Sequence, residues 1–193
     1  MKATRGAGAA AMLVAMILAA GTLRSQEKPK DSAKAAPAEA QIPTPGPEMA
    51  RLNYLIGSWT MTAEYVKSPM MPEGAKQTGW YKAQLGPGGF SVIADFEADG
   101  PAGKEIGHEI LTWDPAKNAY TVVTVGNFPG AVMGVGKWEG GNLAIETAFT
   151  MGSETSHMRA VYTNPTDKEV HIEEFLQAKD GTWQLIWKGD ATK

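Results

Sequence analysis

Tyr54-Leu55-Ile56-Gly57-Ser58-Trp59-Thr60-Met61-Thr62-Ala63-Glu64-Tyr65 is the stretch on which the fold turns. Its first residues complete an apolar pattern of helical spacing, Met49, Leu52, Leu55 and Ile56, which begins after Pro47 and which Gly57 stops. From Gly57 the period changes. Trp59, Met61, Ala63 and Tyr65 alternate with Ser58, Thr60, Thr62 and Glu64, the period of two of a strand with one buried face. Phe90, Val92, Ala94, Phe96 and Ala98 alternate in the same way with Ser91, Ile93, Asp95, Glu97 and Asp99.

Downstream, turn signals punctuate the chain: Gly86-Pro87-Gly88-Gly89, Asp99-Gly100-Pro101, Asp114-Pro115, Glu139-Gly140-Gly141-Asn142, Asn164-Pro165 and Lys179-Asp180-Gly181. Each breaks the pattern after a run of strand length, as a meander requires. The intervals predict about ten strands, near residues 58–66, 76–85, 90–98, 104–113, 119–125, 131–138, 143–149, 156–163, 169–178 and 182–191. Strands paired in sequence order over so short a chain stack as a sandwich or close on themselves, and closure removes the exposed edges. The expected fold is therefore all-β: an antiparallel up-and-down barrel with a short N-terminal helix, wide enough to hold a small ligand.

Upstream, Lys2 and Arg5 precede an uncharged run, Ala9 to Ala20, that contains Met12, Leu13, Val14, Met16, Ile17 and Leu18. A basic start before a short apolar run is a secretory signal pattern, so residues 1–25 are expected to direct export to the periplasm or the exterior. Ala19 to Gly21 and Ser25 offer cleavage positions. An uncleaved anchor is the alternative, although a spanning helix wants about 20 strongly apolar residues and alanine and glycine dilute this run. No membrane span is expected in the mature protein. Residues 26–47 are rich in Lys, Ala, Glu and Pro and hold one large aliphatic side chain, Ile42. Such a segment buries too little to offset its ordering entropy and is expected to be a disordered linker before a domain at 48–193.

The chain has no cysteine, which rules out disulfides, thiol catalysis and thiolate metal sites. From Glu48 onward, 12 basic against 18 acidic side chains leave a balance of −6, a surface that repels phosphate backbones, so no nucleic-acid partner is expected.

Tyr54 to Trp59, a short helix followed by Gly-x-Trp opening the first strand, resembles the start of lipocalins, nitrobindins and other calycins. Leu85-Gly86-Pro87-Gly88-Gly89-Phe90, Trp113-Asp114-Pro115 followed by Lys117 and Tyr120, and the closing Gly181-Thr182-Trp183 extend the likeness to an uncharacterised bacterial calycin-like family known as a domain of unknown function, over residues 48–193. The resemblance implies that Trp59, after Gly57, closes one end of the barrel. Its loss would then leave a cavity costing about 3–5 kcal/mol. The likeness to nitrobindins also implies haem held by a histidine near the start of the last strand. Here that strand reads Trp183-Gln184-Leu185-Ile186-Trp187-Lys188-Gly189 without one, and no cofactor is expected.

The three histidines, His108, His157 and His171, stand far apart in sequence, so no metal site is written locally. His108 shares its strand face with Ile106 and Ile110; an imidazole there lines a cavity or is a satisfied core residue. His157 and Arg159 share a face with Val161, which makes a cationic spot for a ligand if that face is inward and a solvated charged face if it is not. His171 and Glu173 are the nearest approach to a base with an orienting carboxylate, but no nucleophile or oxyanion motif accompanies them. Trp183, Leu185 and Trp187 read as one face of the last strand, with Trp187 among the candidate pocket residues. Met61, Met70, Met71, Met133, Met151 and Met158 suit an adaptable pocket or an irregular core alike. No residue is assigned to catalysis. The leading expectation is an exported protein enclosing a small, largely apolar ligand, with His108, His157, Arg159 and Trp187 as candidate contacts. Two others stand beside it: an enzyme using His108 or the pair His171 and Glu173, and a non-catalytic interaction module with a filled barrel. Oligomeric state is not readable from the sequence.

Overall fold

The structure, a computed structural model, describes residues 43–68, 71–151 and 154–193. The expected export signal (1–25) and the linker up to residue 42 lie outside the described residues. A short helix α1 (Pro47–Ala50) and a 3-10 turn (Asn53–Leu55) lead into ten strands: β1 (Gly57–Tyr65), β2 (Ala75–Leu85), β3 (Ser91–Gly100), β4 (Gly103–Asp114), β5 (Ala119–Gly126), β6 (Ala131–Glu139), β7 (Asn142–Met151), β8 (Glu154–Thr163), β9 (Glu169–Gln177) and β10 (Trp183–Thr192). Each strand pairs antiparallel with its sequence neighbours, and β1 pairs with β10, so the sheet closes as a barrel with no free edge. The expected two-turn helix is one turn of α-helix followed by the 3-10 turn.

One half of the barrel is packed solid. Leu52 and Leu55 of the N-terminal turns sit under Trp59, Val92, Leu111, Tyr120, Val122, Leu143 and Val170, all buried. Trp59 is 3% exposed, its indole Nε1 donates to the Leu55 carbonyl at 2.8 Å, and the Lys193 ammonium lies 4.5 Å from the indole's centre. Tyr120 fixes α1 by donating to the Glu48 carbonyl at 2.7 Å, and accepts from Trp138 Nε1 at 3.1 Å. Gly57 opens β1 with φ +119°, a conformation that L side chains rarely adopt.

The other half is built differently. Several of its inward side chains, Tyr65, Phe96, Glu109, Met158, Glu174 and Leu176, are half-buried rather than sealed, although the wall of ten strands surrounds them, while Gln77, Ala98 and Trp187 beside them are buried. Two inward glycines let bulky neighbours lie flat against the wall. A Cβ on Gly107 would meet the Phe96 ring at 2.5 Å, and one on Gly189 would meet the Trp187 ring at 2.8 Å.

Candidate functional site

Registers decide which side chains can share a site. Phe96 pairs with Gly107 and Val92 with Leu111, so the inward residues of β4 are Glu105, Gly107, Glu109 and Leu111. His108 is therefore on the outer wall, which corrects the expectation that its aliphatic neighbours mark the inner face. Ile106 and Ile110 are themselves outside and exposed, and the His108 side chain is 67% exposed with Nδ1 2.6 Å from Asp95 Oδ1. His157 and Arg159 do share a face, and it too is the outer one. Arg159 NH1 donates to Glu146 at 2.7 Å and NH2 to Glu139, while His157 borders an open hollow of about 380 Å³ with Met133, Val135 and Ala148. A second outer hollow of about 340 Å³ lies over Thr60, Thr78 and Trp80. His171 is also outside, with Nδ1 2.8 Å from Asp190 and Nε2 4.0 Å from Glu173.

Of the four candidate contacts only Trp187 faces inward, and it does not share a face with Trp183 and Leu185. A β-bulge between Leu185 and Trp187 shifts the phase: Trp183 and Leu185 stand opposite the outward Gln177 and Phe175, whereas Trp187 stands opposite the inward Glu174. Trp187 is 4% exposed and its Nε1 donates to Gln77 Oε1 at 2.7 Å. Gln77 Nε2 in turn reaches the Tyr65 hydroxyl at 3.5 Å.

The groups that do converge in the half-filled part were not singled out from the sequence. Glu109 accepts from the Tyr81 hydroxyl at 3.1 Å and from Thr124 Oγ1 at 3.3 Å. Burial raises its pKa, and these two hydrogen bonds pull it part of the way back. Glu174 lies across the lumen on β9, and none of the hydrogen bonds made by the described residues ends on its carboxyl group. Burial first, and then the charges of Glu105 and Glu109, push its pKa up to about 7. Tyr81 and Tyr162, packed against the core, border these two acids, and both phenols are raised chiefly by burial and then by the charge of Glu109. Below them Tyr54 is 9% exposed, and its hydroxyl is sealed with no hydrogen-bond partner. No lysine, arginine or histidine of the described strand residues faces inward to offset the three carboxyl groups. The sequence signal for this cluster was Glu173-Glu174, two acids in succession on a strand, one of which alternation must turn inward.

No group of three or more His, Cys, Asp or Glu among the described residues is placed to hold a metal ion. With all three histidines on the outer wall, the residues present do not fit a histidine-held haem in the lumen.

The family model for "Protein of unknown function (DUF1579)" matches residues 44–193. The chain belongs to this family. Among solved structures, this DUF1579 barrel is similar to the crystal structure of Rv2717c from M. tuberculosis, at 14% identity and a TM-score of 0.52 over 77% of this chain and 98% of that one. It is also similar to the S-type phycobiliprotein lyase CPES from Guillardia theta, at 9% identity and a TM-score of 0.49 over 76% of this chain and 89% of that one. The first likeness shows the fold, a calycin-like barrel. No curated protein matches the sequence. No helix among the described residues is long and apolar enough to cross a membrane.

Proposed function

We propose that this DUF1579 protein is an exported carrier that binds a small molecule in the half-filled part of its barrel. The observation that carries the reading is Glu174, a carboxyl group held inside the wall without a protein partner. Burying such a group costs stability, and a barrel needed only as a spacer or docking platform could place a leucine there at a gain. Costly inward polar groups in a concave, mostly apolar site are the mark of a binding or catalytic cavity. The lower half, sealed by Trp59 and the N-terminal turns, supplies the stability that offsets this cost. Binding is favoured over hydrolysis because no histidine, lysine or arginine of the described strands faces the lumen, so the hydroxyls on Glu109 have neither an imidazole base nor a cationic group to hold an oxyanion. The outer pairs His108–Asp95 and His171–Asp190 lie on an open surface that excludes no water.

Export rests on Lys2, Arg5 and the apolar run that follows them. Native mass spectrometry of the protein isolated from its own source tests the central point: a reproducible mass increment, lost on denaturation, supports an enclosed ligand. A chain of bare polypeptide mass whose luminal Met61 and Met158 methyl signals respond to no small molecule would overturn it.

A further inference from the structure

We propose that the ligand carries a basic nitrogen, an ammonium or amidinium group, seated between Glu174 and Glu109. This inference rests on reading the barrel as a binding lumen and adds the chemistry of what enters it. The charged and titratable groups facing that space are Glu105 and Glu109 of β4, Glu174 of β9, Tyr65 of β1, Tyr81 of β2 and Tyr162 of β8; β3, β5, β6, β7 and β10 contribute none. All of them are acids. The phenols, raised by burial, stay neutral, so the negative potential of the space rests on the three carboxyl groups, which have no built-in counter-charge, and an anionic ligand would add to the repulsion.

Two further observations point to an occupant. Glu109 is oriented by Tyr81 and Thr124, each spending one hydrogen bond on a separate carboxyl oxygen, which leaves lone pairs on both for a donor from the lumen. Beneath the cluster the buried Tyr54 hydroxyl has no partner, and burial first, then the nearby charge of Glu109, raises its pKa. A sealed hydroxyl without a partner, beneath a carboxyl group that also lacks one, Glu174, leaves this level incomplete as a core, and the lone pairs of Glu109 and Glu174 above it are the groups free to hold a polar head group. Met61, Phe96, Met158 and Leu176 line the wall around it and suit a short hydrocarbon tail. In the absence of ligand, a proton on Glu174 neutralises the space instead, so cation and proton compete for one carboxylate.

The test follows three probes of one shape, hexylamine, hexanol and hexanoate, titrated into the full chain while the methionine methyls and glutamate carboxyl carbons are observed by NMR. At about pH 8, where Glu174 is ionised, hexylamine should shift Met61 and Met158 and bind about tenfold or more tighter than hexanol, with hexanoate weakest, since hydrogen bonds to charged groups are roughly twice as strong as neutral ones. At about pH 5.5, Glu174 is protonated, and the preference for the amine should shrink about tenfold or more while hexanol binding stays constant. Glu174→Gln should abolish the preference at both pH values, and the pH dependence of the parent chain answers the same question if that variant folds poorly. Equal binding of hexanol and hexylamine at the luminal methyls would overturn the basic nitrogen and leave the binding lumen standing. Failure of all three probes to move Met61 or Met158, or shifts confined to the outer Met133, would overturn both.

Discussion

Replacing Glu174 with Gln removes the charge while keeping the shape, so its effect isolates what ionisation in the lumen costs. In the folded protein the carboxyl titrates near 7, against an ordinary value of 4.5, with burial the main cause and Glu105 and Glu109 adding to it. A carboxyl raised on folding stabilises the native state fully below its unfolded pKa, and this contribution is lost as pH rises through the folded value. The parent should therefore lose stability between about pH 4.5 and pH 7, by about 3 kcal/mol at about 1.4 kcal/mol per pKa unit. Because the side chain is half-buried rather than sealed, solvent screening brings the expectation to about 2–3 kcal/mol. Glu174→Gln does not titrate. It should match the parent near pH 4.5 and exceed it by about 2–3 kcal/mol at pH 8, or about 5–10 °C in Tm for a domain of this size. Urea melts of both proteins at half-unit steps of pH measure the difference, and the contributions of other groups common to both largely cancel. A difference that stays flat with pH, or a variant less stable than the parent at pH 8, would refute the reasoning. It would mean that the ionised carboxylate has a partner inside the barrel.

Three other substitutions follow from the placements. His108→Ala should change stability by less than about 0.5 kcal/mol and leave luminal ligand binding untouched, because the ring and its Asp95 partner are on the open outer wall; urea melts and the NMR titration check both. Trp59→Ala should cost about 3–5 kcal/mol through the cavity and the lost hydrogen bond to Leu55, while leaving the Glu174 titration in place, as seen by carboxyl NMR on the folded fraction. Tyr54→Phe should be neutral or stabilising by about 1 kcal/mol in ligand-free protein, since it deletes an unpaired buried hydroxyl, and a loss of more than that in a urea melt would show that the hydroxyl has a partner.

Strand number, order and closure were legible because they rest on two local signals that survive context: alternation in β1 and β3, and turn residues such as Gly140-Gly141 and Asp180-Gly181 at the breaks. Orientation was not legible. Alternation says that His108, Ile106 and Ile110 share a face; it does not say which face is inside. Apolar side chains usually settle that question, but β4 carries them on both faces, Ile106 and Ile110 outside and Leu111 inside. Its inner row gives up hydrophobicity to Glu105, Gly107 and Glu109, so the more apolar-looking row was the wrong one. On β10 the bulge between Leu185 and Trp187 breaks the count itself, and no residue type in Gln184-Leu185-Ile186-Trp187 announces it. The assignment of faces needs partners across the sheet, which a single sequence does not provide.

That failure has the same cause as the candidate site. A strand that lines a solid core advertises its inner face by hydrophobicity, as β1 does at Trp59 beside the buried Leu55. On the proposed reading, a strand that lines a lumen carries there the groups its contents require, and its inner face then looks like a surface. β4 does both along its length: Leu111 joins the packed layer with Tyr120 and Val122, and two residues earlier Glu109 enters the lumen, held by Tyr81 and Thr124. The switch from apolar to acidic inner residues thus marks, within one strand, the level at which the barrel stops being core. β9 makes the same switch between Ile172, packed against the core, and Glu174. Two strands on opposite sides of the barrel change character at one height. A scatter of isolated polar defects would not do this, whereas a floor with a chamber above it would.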